Sequence, residues 1–356
     1  MKVKKIGTFN KVRKVFVNLY SALEKPFAPT KFFLKKYDKS VWPLIKTNNV
    51  VRRFYKREEL VIEDYENVEL INCKSRDGVN ISAYLYTPNK NSNKWVIASH
   101  WFGGYKNWSL HHAKVFTKMG YNIIAFDFRG HGDSQNIPTT MGLNEVYDLM
   151  GVFDWLKENK TIDQLALFGI SMGAFCSNFV ALKYSDEFKQ ANLKYIVSDC
   201  AYGSVYRLLI HVRNIYLKLF ISKKRVKKII RKLIAKYNES EHNIDLRDAS
   251  VFKLLREGYK PVFPTLFFHS KDDKVTPPTD TYEFIIERNK MAGDDYLIYS
   301  YSMHTQAIRE HFKTYNFKIA KYISSMDKNR KDFYNVVDEW SLVEYNKRDQ
   351  EAADLK

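Results

Sequence analysis

Short apolar runs alternate with helix-spaced apolar positions along the chain from residue 68 onward. The runs predict eight strands, at 68–74, 80–88, 95–100, 121–128, 165–170, 193–199, 261–270 and 295–300. The helical spacing predicts helices near 108–119 and at 141–158, 172–184, 278–290 and 305–325. Because Arg76-Asp77-Gly78 joins the first two strands, we expect an antiparallel hairpin there. The alternation that follows indicates an α/β fold with a mostly parallel central sheet flanked by helices.

The same pattern predicts how the chain is divided into parts. The α/β core comprises residues 66–202 and 259–325, and a basic helical cap at 203–258 is inserted between them. A basic helical extension precedes the core at 1–65, and a charged tail follows it at 326–356. Ligands of such sheets bind beyond the carboxyl ends of the parallel strands, so we expect the functional residues at that edge.

Basic charge is concentrated in two segments outside the predicted core. The chain of 356 residues has a net charge of +18, whereas residues 1–57 alone carry +14 and residues 203–236 carry +11. Apolar stripes at 12–23 and 226–237 predict a basic amphipathic helix in each. We therefore expect an anionic membrane surface as a partner and consider nucleic acid the less favoured one. The alternative is that both helices pack on the body and expose a solvated, lysine-rich face.

The three cysteines indicate neither a disulfide framework nor a zinc site. Cys73, Cys176 and Cys200 form no C-x-x-C pair, and no H-E-x-x-H pattern occurs. We therefore expect no metal and no cofactor. The chain has neither an apolar run of signal-peptide type at its start nor 18 consecutive apolar residues. These features predict a cytoplasmic protein, peripheral on the inner face of the cell membrane if the basic helices bind it.

The stretch LALFGISMGAF (165–175) places a serine between two glycines, directly after a predicted strand. A G-x-S-x-G sequence between a strand and a helix is typical of a sharp turn that exposes a nucleophilic serine. Ser171 is therefore the candidate nucleophile. The alternative is an ordinary strand-to-helix connection that contains a serine, since the short pattern also occurs by chance.

A serine nucleophile needs a base and an orienting acid, and both candidates occur downstream. His304 follows the last predicted strand, and Asp272 and Asp273 follow the strand before it. The chain order serine, acid, histidine is the one expected on this kind of sheet. Order and position at strand ends thus favour His304 as the base, and they leave the two aspartates as alternatives for the acid.

At this point the chain resembles the α/β-hydrolase superfamily, in particular its lysophospholipase-like and monoacylglycerol-lipase-like members and a bacterial group with a helical cap. Asp273-Lys274-Val275-Thr276-Pro277 matches the acid loop of that superfamily, which favours Asp273 over Asp272. SHWFGGYKNW (99–108) is similar to its H-G-x loop, although Trp101 stands where glycine is usual. The resemblance covers about residues 66–325.

The resemblance also implies roles for backbone groups and for a further loop. The N–H groups of Phe102 and Met172 would form the oxyanion hole. FDFRGHGDS (126–134) is similar to the D-x-R-G-x-G-x-S segment of the lipase-like members. Its Asp127, Arg129 and His131 are expected to fix loop geometry through charge-assisted hydrogen bonds rather than to act on substrate.

These residues together predict a serine hydrolase that cleaves carboxylic esters through an acyl-enzyme on Ser171. The apolar and basic cap suits an acyl chain with a charged head group, so a lysophospholipid or monoacylglycerol is the expected substrate. A small-ester carboxylesterase, an acyl thioesterase and a serine peptidase are the alternatives within the same fold. The alternative of another class is a non-catalytic protein that binds anionic membranes or nucleic acid on a hydrolase scaffold.

Overall fold

The computed structural model describes residues 44–216, 246–288 and 291–345, together with six single positions between 222 and 231. The amphipathic helix predicted at 12–23 lies outside the described residues, as does the apolar stripe predicted within 226–237. The basic positions of that second segment are described in part. They are helical and exposed at Lys224, Arg225, Lys227, Lys228 and Arg231.

Eight strands form one sheet in the order β1-β2-β4-β3-β5-β6-β7-β8. They are β1 Val68–Lys74, β2 Asn80–Tyr86, β3 Lys94–Ser99, β4 Asn122–Phe126, β5 Gln164–Ile170, β6 Leu193–Asp199, β7 Thr265–Ser270 and β8 Asp295–Tyr299. β2 pairs antiparallel with β1 and with β4, and the other neighbours pair parallel. The predicted fold class is thus confirmed. β7 begins after Pro261 and Pro264, which cannot donate to a ladder.

Twelve α-helices of the described residues accompany the sheet. They are α1 Leu44–Val50, α2 Lys106–His112, α3 Lys114–Lys118, α4 Glu145–Asn159, α5 Met172–Lys183, α6 Ser185–Gln190, α7 Val205–Tyr216, α8 Val251–Arg256, α9 Pro278–Glu287, α10 Ala307–Glu310, α11 Phe312–Asp327 and α12 Arg330–Glu339. α4 begins later than the predicted residue 141. The reason is that the Glu145 carboxylate accepts hydrogen bonds from the N–H groups of Thr140 and Gly142, which holds those residues in a loop.

Both faces of the sheet are buried, as in other parallel sheets with helices on each side. In β5, Leu165 and Leu167 point into one apolar cluster, whereas Ala166 and Phe168 belong to the cluster on the opposite face. The first cluster includes residues of α4, α5, α7, α8 and α9, and the second includes residues of α2, α3, α11 and α12. β5 therefore runs through the centre of the core.

Segments outside the predicted core also contribute to it. Val51 and Ile62, from the predicted N-terminal extension, are fully buried in the second cluster. So is Val336 of α12, which lies within the predicted charged tail, and Trp340 follows it there. Among the helices that the structure describes, none has the length and apolar character needed to cross a bilayer.

Candidate active site

Ser171 occupies a strained turn between β5 and α5. Its backbone has φ 55° and ψ −111°, and its N–H donates to the carbonyl oxygen of Asp199 over 2.8 Å. A Cβ on Gly169 would lie 2.4 Å from the carbonyl oxygen of Gly173, and one on Gly173 would lie 2.3 Å from that of Ser99. Both glycines are thus required because the backbone approaches itself too closely for any side chain. A positive φ on serine is strain of the kind found at functional sites.

The structure brings the three predicted side chains together. The Nε2 atom of His304 lies 2.8 Å from the Ser171 hydroxyl oxygen, and its Nδ1 atom lies 2.8 Å from a carboxylate oxygen of Asp273. The three residues come from loops after β5, β7 and β8, which end at the same edge of the sheet. A serine, an imidazole and a carboxylate in this order form the arrangement that activates a hydroxyl for nucleophilic attack.

Asp273, rather than Asp272, reaches His304. The second carboxylate oxygen of Asp273 accepts the N–H groups of Val275 and Thr276 at 2.7 and 3.0 Å. Burial alone would raise the pKa of Asp273, but the adjacent His304 and these hydrogen bonds hold it well below its usual value. Asp272 instead forms a surface ion pair with Lys274.

Of the two predicted oxyanion donors, Met172 directly follows Ser171 and Phe102 lies in the loop after β3. Met172 is the first residue of α5, so its N–H has no acceptor within the helix. Phe102 follows β3, whose last residue Ser99 is paired with Gly169 of β5. The loop around Phe102 is held by His131, whose Nε2 atom accepts the N–H of Gly103 over 3.0 Å.

Trp101, the residue that departs from the superfamily pattern, is buried in a cluster of rings. Its ring lies 5.3 Å from that of His112 and 6.2 Å from that of Trp108, and Tyr55 stacks on Trp108 at 5.7 Å. Neither ring nitrogen of His112 has a hydrogen-bond partner among the described residues, and burial lowers the pKa of His112 to about 3. Sequence reasoning missed this cluster, although the i, i+4 spacing of Trp108 and His112 on one helix was a signal.

The loop after β4 is held by buried charges. Asp127 accepts hydrogen bonds from the backbone N–H and the ammonium group of Lys106, both at 2.6 Å. Arg129 forms ion pairs with Asp77 and with the buried Asp148. These contacts match the structural role expected of Asp127 and Arg129. The buried Lys106, on α2, was not anticipated.

The other histidines near the site have hydrogen-bond partners other than the Ser171 hydroxyl. His100 lies 2.6 Å from the carbonyl oxygen of Trp101 and accepts the N–H of Phe128. Nδ1 of His269 lies 2.7 Å from the hydroxyl of Thr281, and its Nε2 lies 3.5 Å from the carboxylate of Asp273. Burial lowers the pKa of His269 to about 4, so this imidazole is neutral at physiological pH.

Helix α7 of the predicted cap contacts the acid loop. On α7, Val205 and Leu208 are buried, and Nε2 of His211 lies 3.2 Å from the carbonyl oxygen of Asp273. Ile215 and Tyr216, at the end of α7, are 43% and 49% exposed. Apolar side chains thus continue from the core onto the surface beside the site.

Comparison with known proteins places this geometry in context. A sequence profile of the X-Pro dipeptidyl-peptidase family (S15 family) matches residues 77–259, just over half of the chain. The uncharacterized protein YqkD of Bacillus subtilis is 25% identical, over 78% of this chain and 87% of that protein. Lysophosphatidylserine lipase ABHD12 of Xenopus tropicalis is 42% identical over 60 residues, which are 17% of this chain and only 15% of the lipase.

Solved structures share the fold at low sequence identity. The esterase Pf2001 of Pyrococcus furiosus superposes with a TM-score of 0.56 and 19% identity, over 76% of this chain and 95% of the esterase. The α/β hydrolase GrgF of Penicillium gives a TM-score of 0.54 at 15% identity, over 74% of this chain and 99% of GrgF. At this level of identity the match establishes the architecture only.

Proposed function

The chain belongs to the X-Pro dipeptidyl-peptidase family (S15 family), which has the α/β-hydrolase fold, and we propose that it is a serine hydrolase that cleaves carboxylic esters. One observation carries the proposal. Ser171 Oγ lies within hydrogen-bond distance of His304, and Asp273 holds the other nitrogen of that imidazole. The strained backbone of Ser171 supports the same role.

In the proposed mechanism His304 accepts the hydroxyl proton as Ser171 attacks the ester carbonyl. The ionised Asp273 keeps the proton of the neutral imidazole on Nδ1 and stabilises the imidazolium that forms. The N–H groups of Met172 and Phe102 donate to the oxyanion of the tetrahedral intermediate. His304 then returns the proton to the leaving alcohol, and water hydrolyses the acyl-enzyme by the same steps.

For the substrate we propose a lipid-like ester, such as a lysophospholipid or a monoacylglycerol. The apolar surface of α7 beside the acid loop suits an acyl chain. The exposed basic positions between 224 and 231 suit an anionic or zwitterionic head group. The 60-residue similarity to a lysophosphatidylserine lipase is consistent with this class.

The two basic segments of the chain form the proposed membrane contact. Residues 1–57 and 203–236 carry net charges of +14 and +11, and anionic lipid attracts such segments. Binding would be peripheral and on the cytoplasmic face. Sedimentation with anionic and neutral vesicles tests this contact. We expect the protein to bind the anionic vesicles only, and we expect added salt to weaken that binding.

Turnover of p-nitrophenyl esters of short and long acyl chains tests the enzymatic proposal. We expect Ser171→Ala to lower activity by about 10⁴-fold or more and to abolish labelling by a fluorophosphonate probe. Ser177→Ala is the matched control, because Ser177 lies on the same helix and its hydroxyl donates to the carbonyl of Gly173. Equal turnover by wild type and Ser171→Ala would contradict the proposal.

A peptidase is the second candidate, and the family match favours it. Cleavage of X-Pro p-nitroanilides without ester turnover would support it. Preference for acyl thioesters or for short esters alone would instead indicate a thioesterase or a small-ester carboxylesterase. Vesicle binding with neither turnover nor probe labelling would favour the non-catalytic alternative.

A further inference from the structure

Three potential metal ligands of different chemistry lie close together beside Ser171. A ring nitrogen of His304, a carboxylate oxygen of Asp273 and the sulfur of Cys200 all lie within 4.8 Å of one another. Cys200 and Asp273 are 3% exposed. The proposed mechanism uses the imidazole and the carboxylate but gives no role to the thiol.

The topology explains why the three groups converge. Cys200 directly follows β6, Asp273 follows β7 and His304 follows β8, and these are adjacent parallel strands. The N–H of Cys200 donates to the carbonyl oxygen of Phe268 in β7 over 2.8 Å, which fixes the cysteine backbone beside the acid loop. Cys73 and Cys176 are also buried, but they do not belong to this cluster.

A thiolate, an imidazole and a carboxylate are the ligands that zinc uses in proteins, and three protein ligands leave a position for water. Calcium and magnesium prefer oxygen ligands only, so the sulfur selects against them. We propose that Cys200, Asp273 and His304 form an inhibitory site for Zn²⁺ or another thiophilic divalent cation. The metal–sulfur bond forms as the thiol loses its proton to solvent, and no electrons are transferred.

The consequence for activity rests on the proposed function. A metal ion bound to His304 would occupy the imidazole that must accept the serine proton. Bound to Asp273, it would also occupy the carboxylate that orients this imidazole. Inhibition would therefore lower kcat, and removal of the ion by a chelator would restore it. Binding of the ion itself does not depend on any enzymatic activity, and the two can be measured separately.

Titration of the purified full chain with Co²⁺ tests binding, because a cobalt–thiolate bond gives a charge-transfer absorption in the near ultraviolet. We expect this absorption in wild type and in the matched controls Cys73→Ser and Cys176→Ser, and its loss in Cys200→Ser. Asp273→Asn should weaken Co²⁺ binding by at least about tenfold, whereas Asp272→Asn should not. This pair decides the question even if Cys200→Ser folds poorly.

Titration with Zn²⁺ in the ester assay tests inhibition. We expect reversible inhibition of wild type that ethylenediaminetetraacetate relieves, and resistance of Cys200→Ser, whose activity without metal should remain. Equal sensitivity of Cys200→Ser and wild type would overturn the proposal, as would a cobalt spectrum without the thiolate band. If no ester is cleaved at all, the proposed function fails, and the cobalt spectrum alone decides whether the site exists.

Discussion

The two sides of Ser171 are held in different ways. On the acid side, Asp273 accepts two backbone N–H groups and the imidazole of His304, so hydrogen bonds fix the geometry. On the oxyanion side, the loop around Phe102 is held by the hydrogen bond from Gly103 to His131 and by ring packing of Trp101 with Trp108 and His112. The acid loop therefore requires specific residue types. The oxyanion loop instead tolerates a tryptophan where glycine is usual, because the Trp101 side chain packs against other rings.

The largest expected effect comes from a substitution of the acid, Asp273. Asp273→Asn should lower kcat by about 10⁴-fold, because the amide no longer selects the productive tautomer of His304. Steady-state kinetics on a p-nitrophenyl ester measures this. Asp272→Asn is the control and should lose less than about twofold, since Asp272 pairs only with an exposed lysine. A similar loss in both variants would show that the two carboxylates had been assigned wrongly.

The next effect concerns stability on the oxyanion side. Lys106→Met should lower the free energy of unfolding by about 3–5 kcal/mol, because it leaves the buried carboxylate of Asp127 without its ammonium partner. Lys274→Met breaks an exposed ion pair on the acid side and should cost less than about 1 kcal/mol. Urea denaturation measures both. Equal costs would contradict the view that the buried ion pair contributes more to stability than the exposed one.

Removing the Trp101 side chain, which packs the oxyanion loop against other rings, should have a smaller effect, and this effect is on kcat. Trp101→Gly should lower kcat by about 10²-fold, the value typical of one lost oxyanion donor, with little change in KM. Trp101→Phe keeps a ring in the cluster and should recover most of the activity. If the glycine variant were fully active at wild-type stability, the ring cluster would have no part in positioning Phe102.

The last expected effect is a pH dependence of stability, which should be smallest near neutral pH. The pKa of His112 is lowered to about 3 in the folded state, below its unfolded value of about 6.5. Between these values the unfolded chain binds more protons, so stability falls as pH falls through this window. His112→Phe should reduce that slope by up to about 1.4 kcal/mol per pH unit. Denaturation at several pH values checks this, and an unchanged slope would contradict it.

The site was predictable where it depends on local sequence. The glycines around Ser171 are required by backbone contacts within a few residues of the turn and with the neighbouring strand, and the motif records them directly. Asp273 and His304 follow strands whose apolar runs are plain in the sequence. The hydrophobic pattern likewise predicted all eight strands, because central strands such as β3 and β5 are buried on both faces and the edge strand β1 alternates buried with exposed positions from Ile71 onward.

Tertiary structure decided which distant segments meet. The contact of Tyr55 with Trp108 and the approach of Cys200 to Asp273 and His304 join residues far apart in the chain. Hydrophobic periodicity does not show which distant residue such a side chain will contact, since an aromatic ring or a thiol is compatible with many positions in a core. The sequence by itself thus determined the sheet, the order of serine, acid and histidine, and the distribution of charge. Only packing determined how Trp101 is accommodated and which groups surround the imidazole.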